Sequence, residues 1–422
     1  MASKQKINSN LIFIHSLFRS GSTYFYSALK RTDLFHIYHE PFHEVLADLP
    51  KNWEGLTGRT NEFKKILRHE FLDGGYFDEY LQILPNIQST FDSNFSYNLF
   101  FMDSSSDSKP FRSYIDSLIE ESPKHPILQC TRSTGRISWL KQNYVANHVF
   151  LLRNPWDQWY SYQVDKHIPA TIRLIYSSPN IPTVLQKIMD DCEFSPIHLS
   201  GVSNQLEYCY ANPIKPSMEY YLFFALWLYS YITALEECDL IINMDRVSID
   251  KKEKSSVEIS LHNLGIKNVN LSDCELHRTT FSLKEQSIYS EIENKVLDIF
   301  SQNKIEKKSL AFVTNYLVEQ RIYSFSAFTK GQAVPYRLLE DSIRLRARVF
   351  KLRDEMTLIL NPKIELNKVL EVVKERNEYI EHLEQSIVKR DTNISEVLEV
   401  VKERNEYIEH LEKVIANNNE KK

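Results

Sequence analysis

Apolar residues over the first three hundred positions come in short dense runs separated by polar ones, and two kinds of run alternate. Leu11 to Phe18, LIFIHSLF, is rich in strand formers and is followed at once by RSGST and then YFYSALKR, where Phe25, Ala28 and Leu29 fall at helical spacing. This pattern predicts strand, tight loop, helix. A second unit of the same character runs from Asn147 to Val164. There HVFLLR reads as a buried strand, Asn154-Pro155 as a turn, and WDQWYSYQV as a helix with Pro155 in its first turn. Leu240 to Met244, LIINM, is a third strand directly behind a long apolar helix. Strands alternating with helices predict an α/β layered fold around a mainly parallel sheet. Residues 50–126 mix helix-like stretches with polar loops such as DSSSDSKP and read as insertions over that sheet.

After residue 335 the pattern changes. The pattern from Tyr336 to Met356 predicts a charged amphipathic helix, stopped or broken at Asn361-Pro362. Next, VLEVVKERNEYIEHLE at 369–384 recurs unchanged at 397–412, a displacement of 28 residues, which is four heptads. Leu366, Val373, Ile380, Ile387, Ile394, Val401, Ile408 and Ile415 form an apolar row at every seventh residue. The companion row is weaker. Four residues on it reads Leu370, Asn377, Glu384, Asp391, Leu398, Asn405 and Glu412; three residues on it holds arginines at 376, 390 and 404. The spacing predicts an α-helical coiled-coil stalk through which the chain forms a homo-oligomer, an asparagine at a core position specifying register and a dimer at a cost in stability. A solvated single helix is the alternative. The expected organisation is a main domain over 1–335, a linking helix over 336–362 and a stalk over 363–422.

With 422 residues, 42% hydrophobic and 25% charged, the chain can bury one large core or two. A formal net charge of −5 provides no general footprint for nucleic acid or an anionic membrane surface, so any anion site must be local. Five cysteines, scattered and without a C-x-x-C pair, suggest neither a disulfide framework nor a cysteine-rich zinc site. They fit a reducing compartment and a cytoplasmic protein. The first twenty residues lack a secretion signal. Tyr220 to Leu235 is sixteen residues without a charge, short of the roughly 20 that span a bilayer, and reads as a buried helix.

Three stretches carry candidate chemistry. His39 to His43, HEPFH, matches the H-E-x-x-H zinc signature, but Pro41 is incompatible with the helix that would bring both imidazoles to one face, and no third ligand follows at a recognisable spacing. In FRSGST, Gly21 permits a tight turn and close approach to a ligand. Ser22, Thr23 and the following amides lie at a helix N-terminus that favours anions, and Arg19 adds a permanent charge. An ordinary helix cap would use the same residues. In LLRNPWDQWYS, Arg153 ends a strand and Ser161 follows eight residues later, so an anion over the sheet edge could be held by both. An arginine paired with a nearby acid is the alternative. Walker A is disfavoured, because the first loop has a single glycine and lacks the Gly-Lys-Ser/Thr ending.

Together, RSGST after the first strand, E-P-F soon after, and R-N-P with a serine eight residues past its arginine resemble the sulfotransferases that use 3′-phosphoadenosine 5′-phosphosulfate (PAPS), in their carbohydrate and bacterial-type branch. The resemblance covers residues 11–45 and 127–165 and, more loosely, Leu240 to Val247; nothing after residue 335 belongs to it. It implies a P-loop-like three-layer fold with a sulfotransferase-like catalytic domain, no metal, and a hydroxyl-bearing acceptor such as a carbohydrate or small metabolite. The first loop (Arg19, Ser20, Gly21, Ser22, Thr23) would bind the 5′-phosphosulfate, and Arg153 with Ser161 the 3′-phosphate. Glu40 matches the general base, with His43 and then His39 in reserve. Arginine at position 19 stands where the small-molecule branch usually carries lysine. A nucleotide kinase, a non-catalytic scaffold carrying the coiled coil and a zinc hydrolase are the rival readings.

Overall fold

The computed structural model describes residues 11–47, 77–162, 167–276, 278, 283–303, 307–329 and 366–419. Five strands build one sheet: β1 (Leu11–Ser16), β2 (Phe35–His39), β3 (His125–Cys130), β4 (Ala146–Leu152) and β5 (Leu240–Asn243). All neighbours pair in parallel, in the order β2-β3-β1-β4-β5, so β1 lies at the centre.

Side chains of β1 alternate between two cores, as the two-residue period of a strand requires. Leu11 and Phe13 join Leu128 and Cys130 on one face, covered by Phe111, Tyr114 and Leu118 of α2 (Lys109–Glu120) and Trp139 of α3 (Ile137–Asn143). Ile12 and Ile14 face the other way with Val149, Leu151 and Ile242, covered by Phe25, Ala28 and Leu29 of α1 (Ser22–Lys30). Both faces are therefore dry, which is why β1 and β4 read as dense apolar runs. In α2 the buried residues 111, 114, 115, 118 and 119 follow the helical period, and the Ser108 hydroxyl caps its first turn by accepting from Phe111 N.

The strand-loop-helix units expected at Leu11 and Asn147 are present, the latter as β4 followed by α4 (Pro155–Tyr162). The expected third strand is β5. The stretch read as insertions over the sheet is more integral than expected. It supplies α2, a layer of the core, and its end already belongs to β3, where HPILQC is too short a run to separate from its polar surroundings by periodicity. After α5 (His167–Tyr176) comes α6 (Pro216–Glu237), the apolar helix. Its residues 220–228 are buried on every side, and among the described residues no helix is long and apolar enough to cross a membrane.

Residues 1–276 with 282–320 form one compact unit, and residues 277–281 with 321–422 a second. In the second, α7 (Leu366–Asn419) is one continuous helix through both copies of the repeat. Ile380 and Leu383 are buried on it, with Val373, Tyr379 and Ile387 packed beside them. Asn377 and Asn405 are exposed, and Arg376 and Arg404 half-buried, so the more buried face of α7 takes in the row three residues on and leaves the asparagines outside it. The expected linking helix at 336–362 lies outside the described residues.

Candidate functional site

The carboxyl ends of parallel strands and the loops after them are where α/β sheets hold ligands. Beyond Ser16 the chain turns through Arg19 and Gly21, both left-handed at φ 66° and 93°, into α1. At Gly21 that conformation suits glycine, and an added Cβ would lie 3.4 Å from Met244 Cε and 3.5 Å from Leu276. Gln129 of β3 donates to the Ser22 carbonyl at 2.6 Å and pins the start of α1 to the sheet. Ser20 is fully buried, and its hydroxyl has no hydrogen-bond partner among the described residues. Thr23 lies half-buried in the first turn of α1.

The second loop meets the first. Arg153 donates to the Arg19 carbonyl at 3.0 Å, and Arg19 Nε donates to Ser161 Oγ at 2.8 Å. Arg153 and Ser161 are both buried. Their turn is fixed from behind: Asp245 accepts from Asn154 N at 2.7 Å and Asn154 Nδ2 at 2.8 Å, and Trp227 Nε1 donates to the Arg153 carbonyl at 3.0 Å. The Arg19 side chain thus spans the two loops that the sequence reading assigned to opposite ends of one nucleotide.

Glu40 follows β2 directly, left-handed at φ 54°, with its amide donating to the Gln129 carbonyl at 2.7 Å. Its carboxylate accepts from Thr131 N at 3.2 Å, Thr131 Oγ1 at 2.8 Å and Arg132 at 2.9 Å. Burial pushes Glu40 above the ordinary carboxylate range, and the Arg132 charge and Thr131 bonds only partly oppose it. HEPFH forms no helix, and its histidines part company. His39 closes β2 with its ring 4.7 Å from Tyr26, whereas His43 stacks at 5.9 Å on His167. Burial, and next the Arg132 charge, hold the His43 imidazole well below its usual range.

Arg132, at 2% exposure, is the hub of this half of the site. It pairs with Glu40 at 2.9 Å and Glu44 at 3.2 Å, and its guanidinium carbon lies 5.2 Å from the Phe18 ring and 5.6 Å from the Tyr97 ring. Phe18 precedes Arg19, so Arg132 reaches from Glu40 to the loop after β1. Glu44 also accepts from Tyr97 OH at 2.8 Å and lies 3.1 Å from His167 Nε2 and 3.3 Å from His43 Nδ1.

Sequence reasoning missed Thr131, Arg132, Glu44, Tyr97 and His167. For the first two a signal existed: PILQC runs straight into TRST, the same strand-then-arginine pattern that singled out Arg153 in LLRN. Tyr97 and His167 stand in unremarkable stretches and reach the site only through the fold. Comparison with family models, curated proteins and solved structures finds no match.

Proposed function

We propose that this chain is a PAPS-dependent sulfotransferase that moves a sulfuryl group to a hydroxyl of a saccharide, glycan or small metabolite. The observation that carries the reading is the junction of the two loops, with Arg153 on the Arg19 carbonyl and Arg19 on Ser161. Two arginines, a helix N-terminus and a buried serine hydroxyl then converge on the end of the central strand, and a ligand with phosphates at both ends of a nucleoside matches that arrangement.

In this reading Arg153 and Ser161 hold the 3′-phosphate far from the reacting bond, and Ser20, Gly21, Ser22 and Thr23 receive the phosphosulfate at the start of α1. Arg19 stabilises negative charge as the S–O bond to the bisphosphate breaks and the S–O bond to the acceptor forms, with positioning and charge stabilisation supplying most of the rate. Glu40 takes the acceptor proton. Its raised proton affinity and fixed carboxylate suit that role, and His43 is the reserve. The strand order with β1 central is in keeping with a P-loop-like core.

Calorimetric titration with 3′,5′-bisphosphoadenosine beside AMP tests the assignment. Tight binding that requires the 3′-phosphate and is lost in Arg153→Ala supports it; equal binding of AMP, or ATP bound as well as the bisphosphate, removes it. We also propose that α7 associates with the same helix of another copy through the second copy of its heptad row, where Val401 and Ile408 stay partly exposed while Ile380 and Leu383 are already covered within the chain.

A further inference from the structure

We propose that His43, Glu44 and His167 form a binding site for one divalent transition-metal ion of zinc's class. The inference stands on geometry and charge and does not rest on the sulfuryl-transfer reading. One ligand atom from each residue lies within 4.8 Å of the other two. Zinc with nitrogen and oxygen ligands at about 2.0–2.2 Å sets neighbouring ligand atoms about 3.3–3.6 Å apart at the tetrahedral angle. His167 Nε2 to Glu44 Oε1 is 3.1 Å, near that spacing, while His43 Nδ1 lies 3.3 Å from the other oxygen, Oε2, so a shift of the His43 ring toward Oε1 brings all three onto one ion.

Two further observations favour a cation here. Val45 N donates to His43 Nδ1 at 3.2 Å, which makes that nitrogen an acceptor, yet it also faces an oxygen of Glu44. A nitrogen in the acceptor state is the form that ligates a metal, and the long bond from Val45 is a weak one to exchange for it. The carboxylates of Glu40 and Glu44 moreover share the single guanidinium of Arg132, which concentrates carboxylate oxygens beside the two imidazoles.

The surroundings suit a metal centre. Tyr97 OH and Arg132 occupy Glu44 Oε2, leaving Oε1 for the ion, while Tyr210 OH lies 3.1 Å from His167 Nδ1 and orients that ring. Two imidazoles and one carboxylate select zinc and its neighbours over magnesium or calcium, which take oxygen. The His167 side chain, 29% exposed, gives the ion a way in, and three protein ligands leave a fourth position open. The HEPFH match thus names one ligand, His43, and misses the two beside it. With metal bound, His43 cannot serve as a base.

The test uses the full chain, stripped with chelator and titrated with Zn²⁺ by calorimetry and Co²⁺ by absorbance. One equivalent should bind, with the intense visible bands of tetrahedral cobalt. Tyr210→Phe should weaken zinc about tenfold, and His167→Ala by more than the roughly 10–100-fold that loss of an outer partner costs. Both positions are partly exposed, so neither variant threatens the core. No saturable zinc binding, or the same affinity in His167→Ala as in the unaltered chain, overturns the site.

Discussion

Arg132 holds two buried carboxylates with one guanidinium, and that arithmetic makes it the residue whose removal should be felt most. Arg132→Met leaves Glu40 and Glu44 facing each other in a dry site, and breaking a buried pair by deleting one partner costs about 3–5 kcal/mol. Urea unfolding should show that loss, and adding Glu40→Gln and Glu44→Gln to the variant should recover a good part of it. Glu40→Gln alone separates binding from chemistry. It preserves shape, so bisphosphate affinity should persist while sulfuryl transfer falls by about 10²–10⁴. If Glu40 is the base as proposed, burial raises it and a base works deprotonated, so sulfuryl transfer by the unaltered chain should rise with pH on an acid limb lying above the ordinary carboxylate range. A pH–rate profile locates that limb.

At the scale of elements, the centre of the sheet contains a pH-sensitive joint. His15 of β1 and His148 of β4 stack at 5.2 Å with Nε2 and Nδ1 3.0 Å apart, and Ser133 Oγ lies 2.7 Å from the other ring nitrogen of His15. Burial depresses both rings, His148 to about 4 and His15 well below its usual value. In the unfolded chain each takes up a proton near pH 6.5, so the unfolded state binds more protons throughout the window between. Stability is therefore full above about pH 6.5 and lost as pH falls toward 4, His148 alone contributing about 3 kcal/mol. Unfolding midpoints measured across that range should fall steeply, and less steeply in His148→Gln.

The same elements show what could be read in advance. β1, β4 and β5 are dense apolar runs beside strong turn signals, and their helices carry Pro155 or a clear period. β2 and β3 were not read as strands, because FHIYH and HPILQC mix histidines with short apolar stretches and owe their strand form to pairing inside the sheet. Of the site, the loop residues were legible because backbone chemistry marks them. The Glu44 cluster was not, since His167 and Tyr97 join it only after α5 and the segment before α2 have packed, and no local pattern encodes such long-range meetings.

For the whole molecule, association through α7 is the property to measure. Sedimentation of the full chain should give a dimer or higher species, and Val401→Lys with Ile408→Lys should return it to monomer. Asn377→Lys, at an exposed position, should leave the mass unchanged. The unchanged repeat has a further consequence. Two helices that match copy to copy satisfy their apolar rows in register, but a slip of 28 residues, about 42 Å of helix, lays the first copy of one chain against the second of another with the same side chains facing. Each partner in the slipped pair then retains an unmatched copy, an overhang that accepts a third chain in the same way. Such head-to-tail contacts do not close. Were α7 to associate as proposed, high concentration would open a route from discrete pairs to staggered fibres, and trimming either copy would remove it.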